Sequence, residues 1–164
     1  MRMKDIYIML VLSAISLPVF SQVPDISLKD TDGKSVNLKT TCLEGKPTVI
    51  SFFATWCKPC LRELNAIADV YDEWQEQTGV RLIAVSLDRA QDEDKVRGLA
   101  DGNNWDYTVL LDTDNSLKQL MHVQTVPHLF VVDCTGKIVE QHSGYTDGEE
   151  QQLFEILRKI TCQK

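Results

Sequence analysis

The chain contains a pair of cysteines separated by two residues, Cys57 and Cys60 in Trp56-Cys57-Lys58-Pro59-Cys60, shortly after the apolar run Thr48 to Ala54. Two thiols at this spacing can cycle between a dithiol and a disulfide if they share one face of a helix, since residues three apart are neighbours one turn on. Pro59 suits the first helical turn, where its missing N–H is not needed and its φ is already helical. The helix therefore starts at the motif and places Cys57 at its N-terminus. Free backbone N–H groups and the positive end of the dipole stabilise a thiolate there, so the Cys57 pKa should fall below the free-thiol value of about 8.5. Cys57 is the expected nucleophile and Cys60 the resolving cysteine.

The elements that must hold this pair follow from periodicity and punctuation. Thr48 to Ala54 is rich in aromatic and β-branched residues, as befits a strand buried on both faces, and Pro47 opens it. Ile26 to Leu28 and Val36 to Leu38, around Asp30-Thr31-Asp32-Gly33, predict an N-terminal β-hairpin. A connector, Lys39 to Lys46, carries Cys42. Leu61, Leu64, Ile67, Ala68, Tyr71 and Trp74 recur at helical spacing, predicting one helix of about five turns that stops at Thr78-Gly79. Val80 to Leu87 is a second apolar strand, parallel to the first through a right-handed crossover. A short helix after Asp92, a minor strand Tyr107 to Leu111 and a short helix Ser116 to Met121 follow. Leu129 to Val132 and Lys137 to Gln141 form a second hairpin, and Asp147 caps a last helix with Leu153, Phe154, Ile156, Leu157 and Ile160 on its buried side. The pattern predicts one α/β domain, a mixed β-sheet flanked by helices on both faces.

Composition narrows the function classes. The chain has 164 residues and a net charge of −7, and Lys and Arg cluster nowhere outside the first four residues, so nucleic acid is a poor partner. Arg2 and Lys4 precede the apolar run Ile6 to Phe20, and Val19-Phe20-Ser21 offers a cleavage site, so residues 1–21 read as an export signal cleaved after Ser21 and 22–164 as the mature domain. An N-terminal membrane anchor is the alternative. The run is short for a spanning helix and Pro18 interrupts it. Export to the periplasm, or another extracytoplasmic compartment, makes disulfide chemistry the first reading of the five cysteines.

Trp56-Cys57-Lys58-Pro59-Cys60 at a strand-to-helix junction, followed by Thr125-Val126-Pro127 before a hairpin, resembles the thioredoxin fold. The N-terminal hairpin, Gly45-Lys46-Pro47 and Phe53-Ala54-Thr55-Trp56-Cys57 are similar to the TlpA/ResA-like branch of exported thiol-disulfide oxidoreductases. The resemblance implies a thioredoxin-like fold over about Asp25 to Ile160. It also implies a cis bond before Pro127, where sequence alone leaves a trans proline at a strand start open, and a substrate chain held by Val126, Pro127 and Trp56. Thioredoxins carry a buried aspartate six residues before the first cysteine, where this chain has Ser51. The branch instead implies that Glu63, three residues after Cys60, accepts the Cys60 proton. A solvated helix glutamate is the plainer reading. Partners would be exported proteins bearing disulfides or thiols, apocytochromes awaiting haem among them, with a membrane electron donor and no cofactor.

The same topology brings Cys42, Cys134 and Cys162 to the pole opposite the motif, and strand adjacency favours a structural Cys42–Cys134 disulfide. Three unpaired cysteines are the alternative. Zinc is disfavoured because no second paired motif accompanies Cys57 and Cys60, and His122, His128 and His142 are scattered; no metal is expected. A peroxidase pattern is absent, since positions 50 and 54 are Ile and Ala. The rival class is a client-binding module with structural cysteines, and the same pair could also run as an oxidase or isomerase.

Overall fold

The computed structural model describes residues 22–160 and Cys162, so residues 1–21, expected to be an export signal, lie outside the described residues. Strand β3 (Thr48–Phe53) is the axis, all six of its residues buried, as its unbroken apolar run predicts. Val49 and Phe53 point to one face and Ile50 and Phe52 to the other, and each face has its own core. On one side β3 runs parallel to β4 (Arg81–Ser86), which runs parallel to β5 (Thr108–Leu111). On the other it pairs antiparallel with β6 (His128–Val132), which forms a hairpin with β7 (Ile138–Ser143). The N-terminal hairpin, β1 (Ser27–Asp30) and β2 (Ser35–Asn37), adds to β5. The seven strands lie in the order β2-β1-β5-β4-β3-β6-β7 among the described residues.

One face is covered by α2 (Lys58–Ala68), α3 (Tyr71–Thr78), α4 (Glu93–Gly102) and α6 (Glu149–Lys159) through Leu64, Ile67, Trp74, Val96, Leu153 and Leu157. The other is covered by α1 (Leu38–Cys42) and α5 (Ser116–Leu120) through Leu38, Cys42 and Leu117.

The single helix expected from Leu61 to Thr78 is two. At Val70, φ −121° and ψ 4°, the helix breaks, and the Val70 N–H reaches the Ile67 carbonyl at 3.1 Å. The break re-aims the second segment: Trp74 stacks on Phe154 of α6, and the Tyr71 hydroxyl accepts the Leu82 N–H of β4. Tertiary contacts thus override a continuous local period. The connector before β3 is also more ordered than expected, since α1 forms within it. Asn37 caps it, its side chain accepting the Thr40 N–H at 2.9 Å, and five residues are too few to show a period. The last helix begins after Gly148, not on Asp147, which pairs with Arg62 at 3.3 Å. Glu149 and Glu150 reach back instead to the N–H groups of Thr146 and Gly148.

The expected Cys42–Cys134 bridge is corrected. Cys134, in the β6–β7 turn, bonds Cys162 beyond α6, with Cα atoms 5.6 Å apart. The strands are adjacent as expected, but side-chain direction decides. Helix α1 turns Cys42 inward against the sheet, fully buried, while the turn carrying Cys134 faces outward. Burial pushes the Cys42 thiol up to about 11, so it behaves as a small apolar side chain.

Non-reducing peptide mapping should therefore recover a Cys134–Cys162 pair, and Cys42 should resist alkylation until the protein is denatured. The double substitution Cys134→Ser/Cys162→Ser should lower stability by about 3 kcal/mol in denaturant titration, from the loop of 28 residues it releases.

Candidate active site

Helix α2 starts at the motif because β3 delivers the chain there with nowhere else to go. Phe53 ends the buried strand, Cys57 N–H bonds the Ala54 carbonyl at 3.0 Å in a tight turn, and Cys57 becomes the N-cap with extended backbone, φ −88° and ψ 95°. Its sulfur accepts the Cys60 N–H at 3.4 Å, and Pro59 sits in the first turn. Cys57 and Cys60 are joined in a disulfide with Cα atoms 5.3 Å apart. Cys60 is wholly buried and Cys57 is 5% exposed, so the first cysteine is the one nearer to solvent. The thiolate-stabilising position is thus the accessible one.

A buried aspartate that sequence reasoning overlooked fixes the loop into the motif. Asp88, just past β4, accepts the Thr55 N–H at 2.9 Å and the Thr55 hydroxyl at 2.7 Å, and its other tie is the Ser86 hydroxyl at 2.8 Å. Nothing in the local sequence marks it, because its partner is on another strand. Trp56, next in the chain, is 71% exposed and borders a cleft of about 400 Å³ with Leu87, Asp88, Arg89 and Asp92. An indole so exposed adds nothing to the core and leaves an aromatic surface open beside the dithiol.

Pro127 immediately precedes β6, and the Val126–Pro127 peptide bond is cis. Because Phe52 pairs with His128, the proline lies level with the end of β3 from which the motif springs. Val126 is half-buried between the two cores. His128 points to the opposite face, stacked on Phe130, and burial pulls its pKa down, so it is neutral at neutral pH and outside the dithiol site.

Glu63, one turn beyond Cys60, is 2% exposed and not solvated. Ser51 on β3 donates to its Oε2 at 2.8 Å. The residue that cannot itself act as a base therefore orients the carboxylate on the facing helix. His142 of β7 approaches the other oxygen, Nε2 to Oε1 3.8 Å, an ion-pair contact. The Glu63 carboxylate beside it raises the His142 pKa, against a smaller opposing effect of partial burial. Sequence reasoning placed Glu63 but missed His142, which stands in β7 with no motif around it. Among the described residues no cluster of side chains is arranged to hold a metal ion, and no helix is long and apolar enough to cross a membrane.

Asp88→Ala should cost about 1–3 kcal/mol in chemical denaturation, because it strands the buried Thr55 and Ser86 donors. The loop before Cys57 should also lose amide-exchange protection.

Residues 19–141 match the AhpC/TSA family model. The thiol-disulfide oxidoreductase ResA of Bacillus thuringiensis (strain Al Hakam) is 30% identical over 145 residues, 88% of this chain and 80% of the relative. A thioredoxin-like protein from Porphyromonas gingivalis superposes with a TM-score of 0.75 at 52% identity, covering 86% of this chain and 92% of the other. A putative thiol:disulfide interchange protein DsbE from Chlorobium tepidum gives a TM-score of 0.72 at 25% identity, covering 84% and 96%. With fold, dithiol geometry and kinship in agreement, the chain belongs to the AhpC/TSA family and, within it, to the ResA-type thiol-disulfide oxidoreductases.

Proposed function

We propose that this protein is an exported reductant of protein disulfides. The observation that carries the reading is the Cys57–Cys60 pair at the α2 N-terminus with a buried carboxylate, Glu63, one turn behind it. In the dithiol form the Cys57 thiolate attacks a partner disulfide, giving a mixed disulfide and releasing one partner thiolate. Cys60 then gives its proton to Glu63 and attacks the Cys57 sulfur, releasing the second partner thiolate and closing the Cys57–Cys60 bond. The chemistry needs no cofactor, only an electron donor that reduces the pair again.

Trp56, Val126 and Pro127 flank the dithiol and form the surface on which an extended partner chain would lie. On this reading the clients are exported proteins with disulfides, apocytochromes awaiting haem attachment among them, and the donor is a membrane protein, as the resemblance of the sequence implies. Export is supported by the N-terminal pattern, read as a signal on residues 1–21, and by a second disulfide, Cys134–Cys162, of a kind that persists in oxidising compartments.

The reduction potential of the mature domain tests the direction: a reductant should lie near or below about −250 mV, and a value near the roughly −120 mV of strong dithiol oxidants would sink this reading. In the reduced protein Cys57 should be alkylated far faster than Cys60, with an apparent pKa below about 8.5. Equal rates would remove Cys57 from the nucleophile's role. Glu63→Gln should slow the Cys60 step about a hundredfold while leaving the Cys57 step intact, in stopped-flow exchange with a model disulfide.

A further inference from the structure

A row of paired residues crosses the sheet beneath α2. Ser51 of β3 lies opposite Leu129 of β6, and Leu129 lies opposite His142 of β7. Directly opposed residues on antiparallel strands project to the same face, so Ser51 and His142 rise on either side of Leu129. Glu63 descends between them from the helix, one oxygen on the Ser51 hydroxyl and the other toward His142 Nε2. Ser51 and Glu63 are closed off from solvent, while the His142 side chain is 34% exposed.

His142 also stands between this buried carboxylate and the surface. It lines both a small pocket, with Glu63, Ile67, Tyr145, Glu149, Glu150 and Leu153, and an open cleft of about 340 Å³ between β7 and α6. The groups that face it are acidic or neutral: Glu63 from α2, Glu149 and Glu150 from α6, Tyr145 from the intervening loop and Glu140 on its own strand; His128, on the other face of β6, is neutral. No cation among these competes for the carboxylate, and Glu63 with its acidic neighbours raises the His142 pKa against the opposing effect of burial.

We propose that His142 is the positioning residue of the Cys60 step, holding the Glu63 carboxylate in place from β7 and passing its proton to water in the β7–α6 cleft. The inference rests on the reading of Glu63 as the acceptor of the Cys60 proton. The balance is simple. Cys60 loses a proton as it attacks the Cys57 sulfur, and Glu63 takes it up. The His142 imidazolium releases one proton to water, and the ring then takes up the one on Glu63, which restores the carboxylate and the charged ring together. Of the two polar side chains described in contact with the Glu63 carboxylate, the Ser51 hydroxyl is buried and only the His142 imidazole reaches solvent.

The test uses the mature protein, reduced and mixed with a symmetrical nitrobenzoate disulfide that releases one coloured thiolate at the Cys57 step and a second at the Cys60 step. In His142→Gln the first phase should be unchanged. The second should fall about tenfold near neutral pH, with a changed pH profile, because a charged group at ion-pair distance from the carboxylate has been removed. The double variant with Glu63→Gln should be no slower than Glu63→Gln alone. An unchanged second phase in His142→Gln, or additive losses in the double variant, would overturn the proposal while leaving Glu63 as the base. An unaltered second phase in Glu63→Gln would overturn both readings. Should His142→Gln fail to fold, the NMR titration of His142 decides instead. Its midpoint should lie above about 6.5 in the wild-type protein and fall to that ordinary value or below in Glu63→Gln, and a midpoint indifferent to Glu63 would refute the coupling.

Discussion

The site depends on β3 being immobilised by two cores at once. Its six residues alternate between the core under α2, α3, α4 and α6 and the core under α1 and α5, and all six are buried. A strand covered on one face only can slide or twist with its exposed side; here any displacement would open a cavity on one face and overpack the other. The end of β3 is therefore a fixed point, and the tight turn from Ala54 to Cys57 carries that fixity into the first turn of α2. Ser51 is the only polar residue among the strand's central positions, and the donor it offers is the one that orients Glu63.

Two carboxylates are buried at this junction, and burying charge is unfavourable unless hydrogen bonds compensate. Asp88 meets the condition fully, with three donors from Thr55 and Ser86, and acts as a structural clamp. Glu63 meets it with one hydroxyl and a half-exposed imidazole at ion-pair distance. That difference separates their roles. A carboxylate engaged by three donors is a fixed acceptor, whereas one left with a vacant lone pair beside a titratable side chain has room for a further partner.

The two disulfides divide in the same way between chemistry and architecture. Cys57–Cys60 spans three residues within one helical turn, so opening it releases little chain entropy and leaves the scaffold in place. Cys134–Cys162 closes a loop of 28 residues around β7 and α6, fastening the end of the chain to the pole away from the motif. It also holds together the two elements that form the cleft beside His142.

Sequence by itself determined the elements whose signals are local. The β3 strand, the helix start at Cys57 with Pro59 in its first turn, both hairpins, and the dithiol follow from residue type and short spacing, because strand burial, helix capping and a one-turn disulfide are decided within a few residues. Glu63 was placed on the face of Cys60 by the same helical arithmetic. Tertiary structure decided what depends on side-chain direction between distant segments. The break at Val70 serves the stacking of Trp74 on Phe154, and Cys134 found Cys162 rather than Cys42 because α1 turned Cys42 into the core. Asp88 and His142 carried no signal in their own neighbourhoods, since each acquires its role from a partner on another element. Strand register alone sets Ser51, Leu129 and His142 in one row, and a shift of one residue in β7 would turn the imidazole to the other face of the sheet.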